Sequence, residues 1–239
     1  HFHFHPMPFN KAAHNCGTAY IGHSDNLYQI LCRKIIERNW FPSVYRPGFH
    51  VTRPDSHWFL EQFIPIEYAN QSLRLEDKSQ PDLSDGRFGD WRRAPKNWQP
   101  YHPSHDDYQL QGHCRRLVAR CLNIGTRHRI LEQKDVDQAF QEANVGKPVI
   151  LSFTHHDYRD MRPDIKETYA MLKIASSRYP KVSFKYCEAK EAVKAVEIIV
   201  KEPPSSIFLA APKNLFGLCS ALASTPPVKT FPELGITAL

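Results

Sequence analysis

Hydrophobic and polar positions alternate along this chain with two periods, near two residues and near 3.6, and Pro, Gly and Asp mark most changes from one to the other. Phe2 and Phe4 alternate with His1, His3 and His5, so an extended backbone turns both phenyl rings toward a core and the three imidazoles toward a cavity. Pro6 and Pro8 close that strand, and residues 9 to 24 read as a long loop carrying His14, Gly17, Gly22 and His23. Ser24 or Asp25 caps a helix to about Asn39, in which Leu27, Ile30, Leu31 and Ile35 recur near helical spacing. A strand through Val44-Tyr45-Arg46 is stopped by Pro47-Gly48. Asp55 then caps a short helix holding Trp58, Phe59 and Leu60, and Phe63 to Tyr68 reads as a further strand.

Residues 70 to 110 have little periodicity, yet Phe88, Trp91, Trp98, Tyr101 and Tyr108 argue for a structured covering loop rather than disorder. Cys114, Leu117, Val118, Cys121 and Leu122 fit an amphipathic helix, and Val136, Ala139, Phe140 and Ala143 fit the next. Pro148 to Thr154 reads as a buried strand whose end delivers His155-His156-Asp157 into a loop. Pro163 suits the first turn of a helix to about Arg178. Val182 to Tyr186 gives another strand, Glu188 to Lys201 a further helix, and Ile207 to Ala211 one more strand. The segment at about 203 to 239 is otherwise unreadable. About five strands alternating with helices predict one α/β domain over residues 1 to 239 with a largely parallel sheet. A distorted or incomplete (β/α) barrel is expected, and an open sheet satisfies the same count.

Composition adds that the chain folds, with 41% hydrophobic and 23% charged residues. No apolar run approaches the ~18 residues needed to span a bilayer, and the first residues do not read as a signal peptide, so a cytoplasmic location without membrane partners is expected. The six cysteines are scattered without a CxxC pair and read as reduced core thiols. The net charge of +6 is spread and interleaved with acids, which fits a solvated surface and not a nucleic-acid groove. A small-molecule or carbohydrate partner is expected, and the oligomeric state is not legible.

Four clusters carry candidate chemistry. His1, His3 and His5 on one strand face stand about 7 Å apart between neighbours, by the strand rise, so two of them can approach a shared divalent metal, unless the segment is a structural or tag-like tail. His155-His156-Asp157 follows the apolar strand where parallel folds place reactive side chains. Only one of the adjacent imidazoles faces inward there, and Asp157 or Asp160 can orient it; the bland reading is a surface loop with a capping Asp. Arg46 ends a strand before a turn, where a guanidinium fork can align a carboxylate or stabilise an oxyanion. Asp90-Trp91, Trp98 and Tyr101 suit an amphipathic ligand such as a sugar, or equally staple the loop to the core.

Taken in order, His1-x-x-x-His5, Arg46-Pro-Gly, Asp90-Trp91 and an apolar strand ending in His156-Asp157 resemble the polysaccharide deacetylase superfamily over roughly residues 1 to 190. The resemblance implies a distorted (β/α) barrel and a divalent metal ion, expected to be zinc, that helps remove acetyl or similar acyl groups. It implies His1 and His5 as metal ligands, with His3 a substitute for either. It further implies Arg46 as the residue orienting a catalytic carboxylate, Asp90 and Trp91 as supports, and His156 as the group protonating the leaving group. The family's carboxylates normally precede the His motif, so the resemblance implies that they lie in a segment upstream of this chain, that other residues such as Asp25 or Asp157 take their place, or that activity has been lost. Amidohydrolase and histidinol-phosphatase-type enzymes, which use a strand-borne His-x-His, and a non-catalytic carbohydrate-binding relative are the alternatives.

Overall fold

The computed structural model describes residues 1–6, 8, 12–18, 25–72, 86–126, 130–156, 158–199 and 206–210. It is a mixed α/β protein of parallel strands and helices whose contacts gather into two compact units, His1–Cys121 and Leu122–Leu239.

In the first unit, β1 (Phe2–Phe4), β2 (Val44–Pro47), β3 (Ile66–Asn70) and β4 (Leu117–Asn123) lie side by side in chain order, all parallel. Helix α1 (Asp25–Arg38) and helix α2 (Pro54–Phe63) supply its packing. Phe2, Leu27, Leu31, Tyr45, Phe59, Leu60 and Ile64 form one buried cluster, with Phe4 and Ile30 against it. Burying side chains of this size stabilises by about 1.5–3 kcal/mol each, which is what holds a strand of only three residues in place. Helix α2 starts at Pro54, where a missing N–H costs nothing, and Ser56 turns back to bond the Arg53 backbone at 2.8 Å.

Two expectations are corrected here. The helix expected at Cys114 to Leu122 is strand β4, because every residue from Leu117 to Asn123 is buried and a strand covered on both faces loses its alternation. Its one cation, Arg120, is stacked over Trp98 at 4.5 Å and donates to the Lys96 carbonyl at 3.0 Å. The strand expected from Phe63 starts later, at Ile66, since α2 runs on to Phe63 before Pro65 intervenes.

In the second unit, β5 (Val149–Thr154), β6 (Ser183–Cys187) and β7 (Ser206–Ala210) are parallel, with β7 between the other two. Helix α3 (Gln133–Asn144) buries Val136, Ala139, Phe140 and Ala143. Helices α4 (Arg162–Arg178) and α5 (Ala189–Ile199) make the crossovers that parallel strands require. Among the described residues no helix is long and apolar enough to cross a membrane. Among the described residues Cys16, Cys32, Cys114, Cys121 and Cys187 form no disulfide. Cys16, Cys121 and Cys187 are buried as expected, whereas Cys32 is exposed and Cys114 half-buried. Cys219 and residues 211–239 lie outside the described residues.

Candidate functional site

The parallel register of β1 and β2 sets Phe2 opposite Tyr45 and His3 opposite Arg46. Burial of Phe2 and Tyr45 fixes the inward face, so His3 and His5 project outward together; a slip of one residue would exchange the faces. His3 Nδ1 donates to the Arg46 carbonyl at 2.7 Å, which commits the proton to Nδ1 and makes Nε2 the accepting nitrogen. That Nε2 lies 2.9 Å from His5 Nε2, and the two rings meet edge to face with centroids 4.7 Å apart. Two imidazole nitrogens on one tetrahedral zinc, at ~2.0–2.1 Å each, stand about 3.3 Å apart, so the pair needs little movement to share an ion. His1 is exposed at the chain start. Among the described residues no three His, Cys, Asp or Glu side chains are grouped closely enough to hold a metal.

Behind the pair, Arg46 donates through Nη2 to His50 Nε2 at 2.8 Å. Its Nη1 is 3.4 Å from His3 Nδ1, a contact between two donors, and its Nε is buried with no hydrogen-bond partner among the described residues. Burial pushes this guanidinium below its ordinary value. Phe49 and His50 both have positive φ, 49° and 52°, a conformation costly for residues with a Cβ. The surroundings hold them there: Trp91 Nε1 donates to the His50 carbonyl at 2.8 Å and the Gly89 amide to the Phe49 carbonyl at 3.3 Å. Phe49 lies edge-on to His5 at 5.2 Å, with Arg87 over it at 5.0 Å. Gly48 leaves the space that the His5 ring occupies, and a Cβ at that position would displace the ring.

The other expected residues are placed differently. Asp90 turns its carboxylate to Arg92, at 3.0 and 2.9 Å; burial works to raise its pKa, but these bonds outweigh it and hold the carboxyl below the usual range. Trp91, Trp98 and Tyr101, expected as ligand-binding rings, are buried, and Tyr101 donates its hydroxyl to the Tyr108 carbonyl at 2.7 Å. They fasten the segment to the core and offer no face to a sugar.

In the second unit it is His155 whose side chain is fully buried, with Nε2 2.7 Å from Asp164 Oδ2 in the first turn of α4, while His156 is exposed beside Tyr158. Asp160 pairs with Arg162 at 2.8 Å, and Asp157 lies outside the described residues. Gly125, at φ +65°, leaves the space that Asp164 and His155 occupy.

No local signal in the sequence marks a role for His50, at the end of the Arg46 turn, or a buried network in the first unit. There Arg116 bonds both Glu67 and His57 Nδ1, Thr52 donates to Glu67, and His57 Nε2 donates to the Ser104 carbonyl at 2.9 Å. Burial and the Arg116 charge push His57 below its ordinary value. Near it lies a hollow of about 370 Å³ lined by His57, Trp58, Glu61, Gln62, His105 and Cys114.

Compared with known proteins, the chain matches no family model, no curated protein and no solved structure.

Proposed function

We propose that this chain is a metal-dependent hydrolase, resembling the polysaccharide deacetylases, that removes acetyl or similar acyl groups from a carbohydrate-like substrate. The observation that carries the reading is the state of His3: its Nδ1–H is spent on the Arg46 carbonyl, so its Nε2 is presented as a lone pair toward His5 Nε2 at 2.9 Å. A backbone carbonyl on the far nitrogen is the usual way a ligating imidazole is oriented. His3 and His5 therefore fit two positions of a divalent metal, and their nitrogen donors suit zinc. When bound, such an ion supplies Lewis acidity and draws a nucleophile from water near neutral pH.

The chain's own residues do the rest. Arg46 holds positive charge beside the imidazole pair, where an acyl oxygen gains negative charge as it is attacked. Phe49 packs edge-on against the exposed His5 ring. Parallel strands joined by helices are the building pattern of a (β/α) barrel and support that form of the fold. The carbohydrate part of the reading rests on the resemblance, since Trp91, Trp98 and Tyr101 are buried.

One observation favours a second reading. The paired ligands are His3 and His5, a His-x-His spacing, and not the His1 and His5 that the deacetylase resemblance implies, which suits an amidohydrolase or histidinol-phosphatase-type hydrolase. Assays on an acetyl ester, an acetamido sugar and a phosphate monoester separate the two. Turnover that is abolished by a chelator and restored by zinc is expected on the acetyl substrates for the first reading and on the phosphate ester for the second. Activity indifferent to the chelator contradicts both.

A further inference from the structure

Arg46 is a cation whose hydrogen-bonding capacity is largely unspent. A guanidinium carries five N–H donors in a planar fork. One is taken by His50 Nε2 at 2.8 Å. Nη1 lies 3.4 Å from His3 Nδ1, but that nitrogen already donates to the Arg46 carbonyl and has nothing to accept with. Nε is buried without a hydrogen-bond partner among the described residues, as are those of Arg87, Arg116 and Arg120, so what sets Arg46 apart is its unspent Nη1. Leaving buried donors unsatisfied costs about 1–3 kcal/mol each, more for a charged group, so a site that does so needs a reason.

Arg33, Arg53, Arg92, Arg93, Arg115, Arg116, Arg162 and Arg178 each pair with a carboxylate, and Arg120 donates to the Lys96 and Ser72 carbonyls. Among the described residues no carboxylate pairs with Arg46 or with Arg87, the cation stacked on Phe49. Arg46 beside His3 and Arg87 over Phe49 thus place two cations around the His3–His5 pair. Arg46 is also held in place. Its partner His50 sits in a left-handed backbone conformation fixed by Trp91, so the fork is set before any ligand arrives.

We infer that Arg46, positioned by His50, is an anion-binding site beside the His3–His5 pair, for a ligand that presents two oxygens of a phosphate or a carboxylate to the guanidinium fork. As a substrate subsite it rests on the hydrolase reading and makes the substrate or product anionic. As an anion site it stands on the metal-free protein alone.

The test is calorimetric titration of the full chain, stripped of metal, with inorganic phosphate and separately with sodium acetate against a chloride background. One of the two is expected to bind with a stoichiometry of about one, and R46Q to weaken it by about tenfold or more, the loss of a charge-assisted bidentate pair. R46K, which keeps the charge without the fork, is expected to fall between the two. Phosphate as the stronger ligand assigns a phosphate-bearing substrate, acetate a carboxylate. If neither anion binds, or if R46Q or R46K binds as well as the parent chain, the inference is overturned. Metal content of the same variants reports on the hydrolase reading separately, because Arg46 supplies no metal ligand: loss of anion binding with metal retained supports the site, and retained anion binding in H5A shows it independent of the metal.

Discussion

Gly48 shows how much of the candidate site depends on single atoms. The His5 ring occupies the space a side chain would take there, so Gly48→Ala pushes His5 away from His3 and breaks the 2.9 Å approach of their ring nitrogens. The expected outcome is a fall of about tenfold or more in zinc affinity with little change in thermal stability, read by competition with a chromogenic chelator. Unchanged affinity places the ion elsewhere. His57 offers a different residue-scale consequence. Its folded pKa lies below the ordinary value of about 6.5, so the unfolded chain takes up a proton that the native one refuses. The stability linked to this group is present in full above about pH 6.5 and is lost as the pH falls toward the depressed folded value. Urea titrations over that range should show stability declining with acidity, and His57→Gln should flatten the decline while lowering stability overall. A slope unaffected by the substitution removes His57 from the account.

At the scale of elements, strand β4 and the ion pair at its start explain why part of the fold was legible in the residues and part was not. The alternation of Phe2 and Phe4 with His3 and His5 reads directly as a half-covered strand, and Pro54 and Pro163 each mark the start of a helix. Leu117 to Asn123 carries no such alternation, because both faces are buried, and its hydrophobic positions also satisfy a helical period. Arg116, just before β4, is fully buried against Glu67 of β3, a partner 49 residues away that no local pattern announces. Removing one member of a buried pair strands the other. Arg116→Leu is therefore expected to cost about 3–5 kcal/mol of unfolding free energy, whereas a well-packed apolar replacement of both residues costs far less. Equal losses for the single and double variants, measured by denaturant unfolding, contradict that assignment. The hydrogen bonds joining β3, α2 and β4 through this network are also why the aromatic segment at residues 86–116 is ordered although it lacks periodicity.

At the scale of the molecule, the sequence foretold a largely parallel α/β arrangement and a face shared by His3 and His5, but not that this face is exposed where a cavity was expected, nor which imidazoles meet. His1-x-x-x-His5 is the spacing the resemblance favours, while the register with β2 places His3 over the Arg46 carbonyl and against His5. In the same way His155, and not His156, is drawn inward by Asp164, whose place in the first turn of α4 is set by the fold and not by nearness in sequence. The proposed hydrolase therefore depends on His3 and His5 holding a divalent ion. Metal analysis of the purified full chain, with the variants His1→Ala, His3→Ala and His5→Ala, tests it most directly. About one zinc per chain is predicted for the parent and for His1→Ala, with loss of most of it in the other two. Undiminished metal in His3→Ala and His5→Ala, or its loss in His1→Ala alone, would contradict the account.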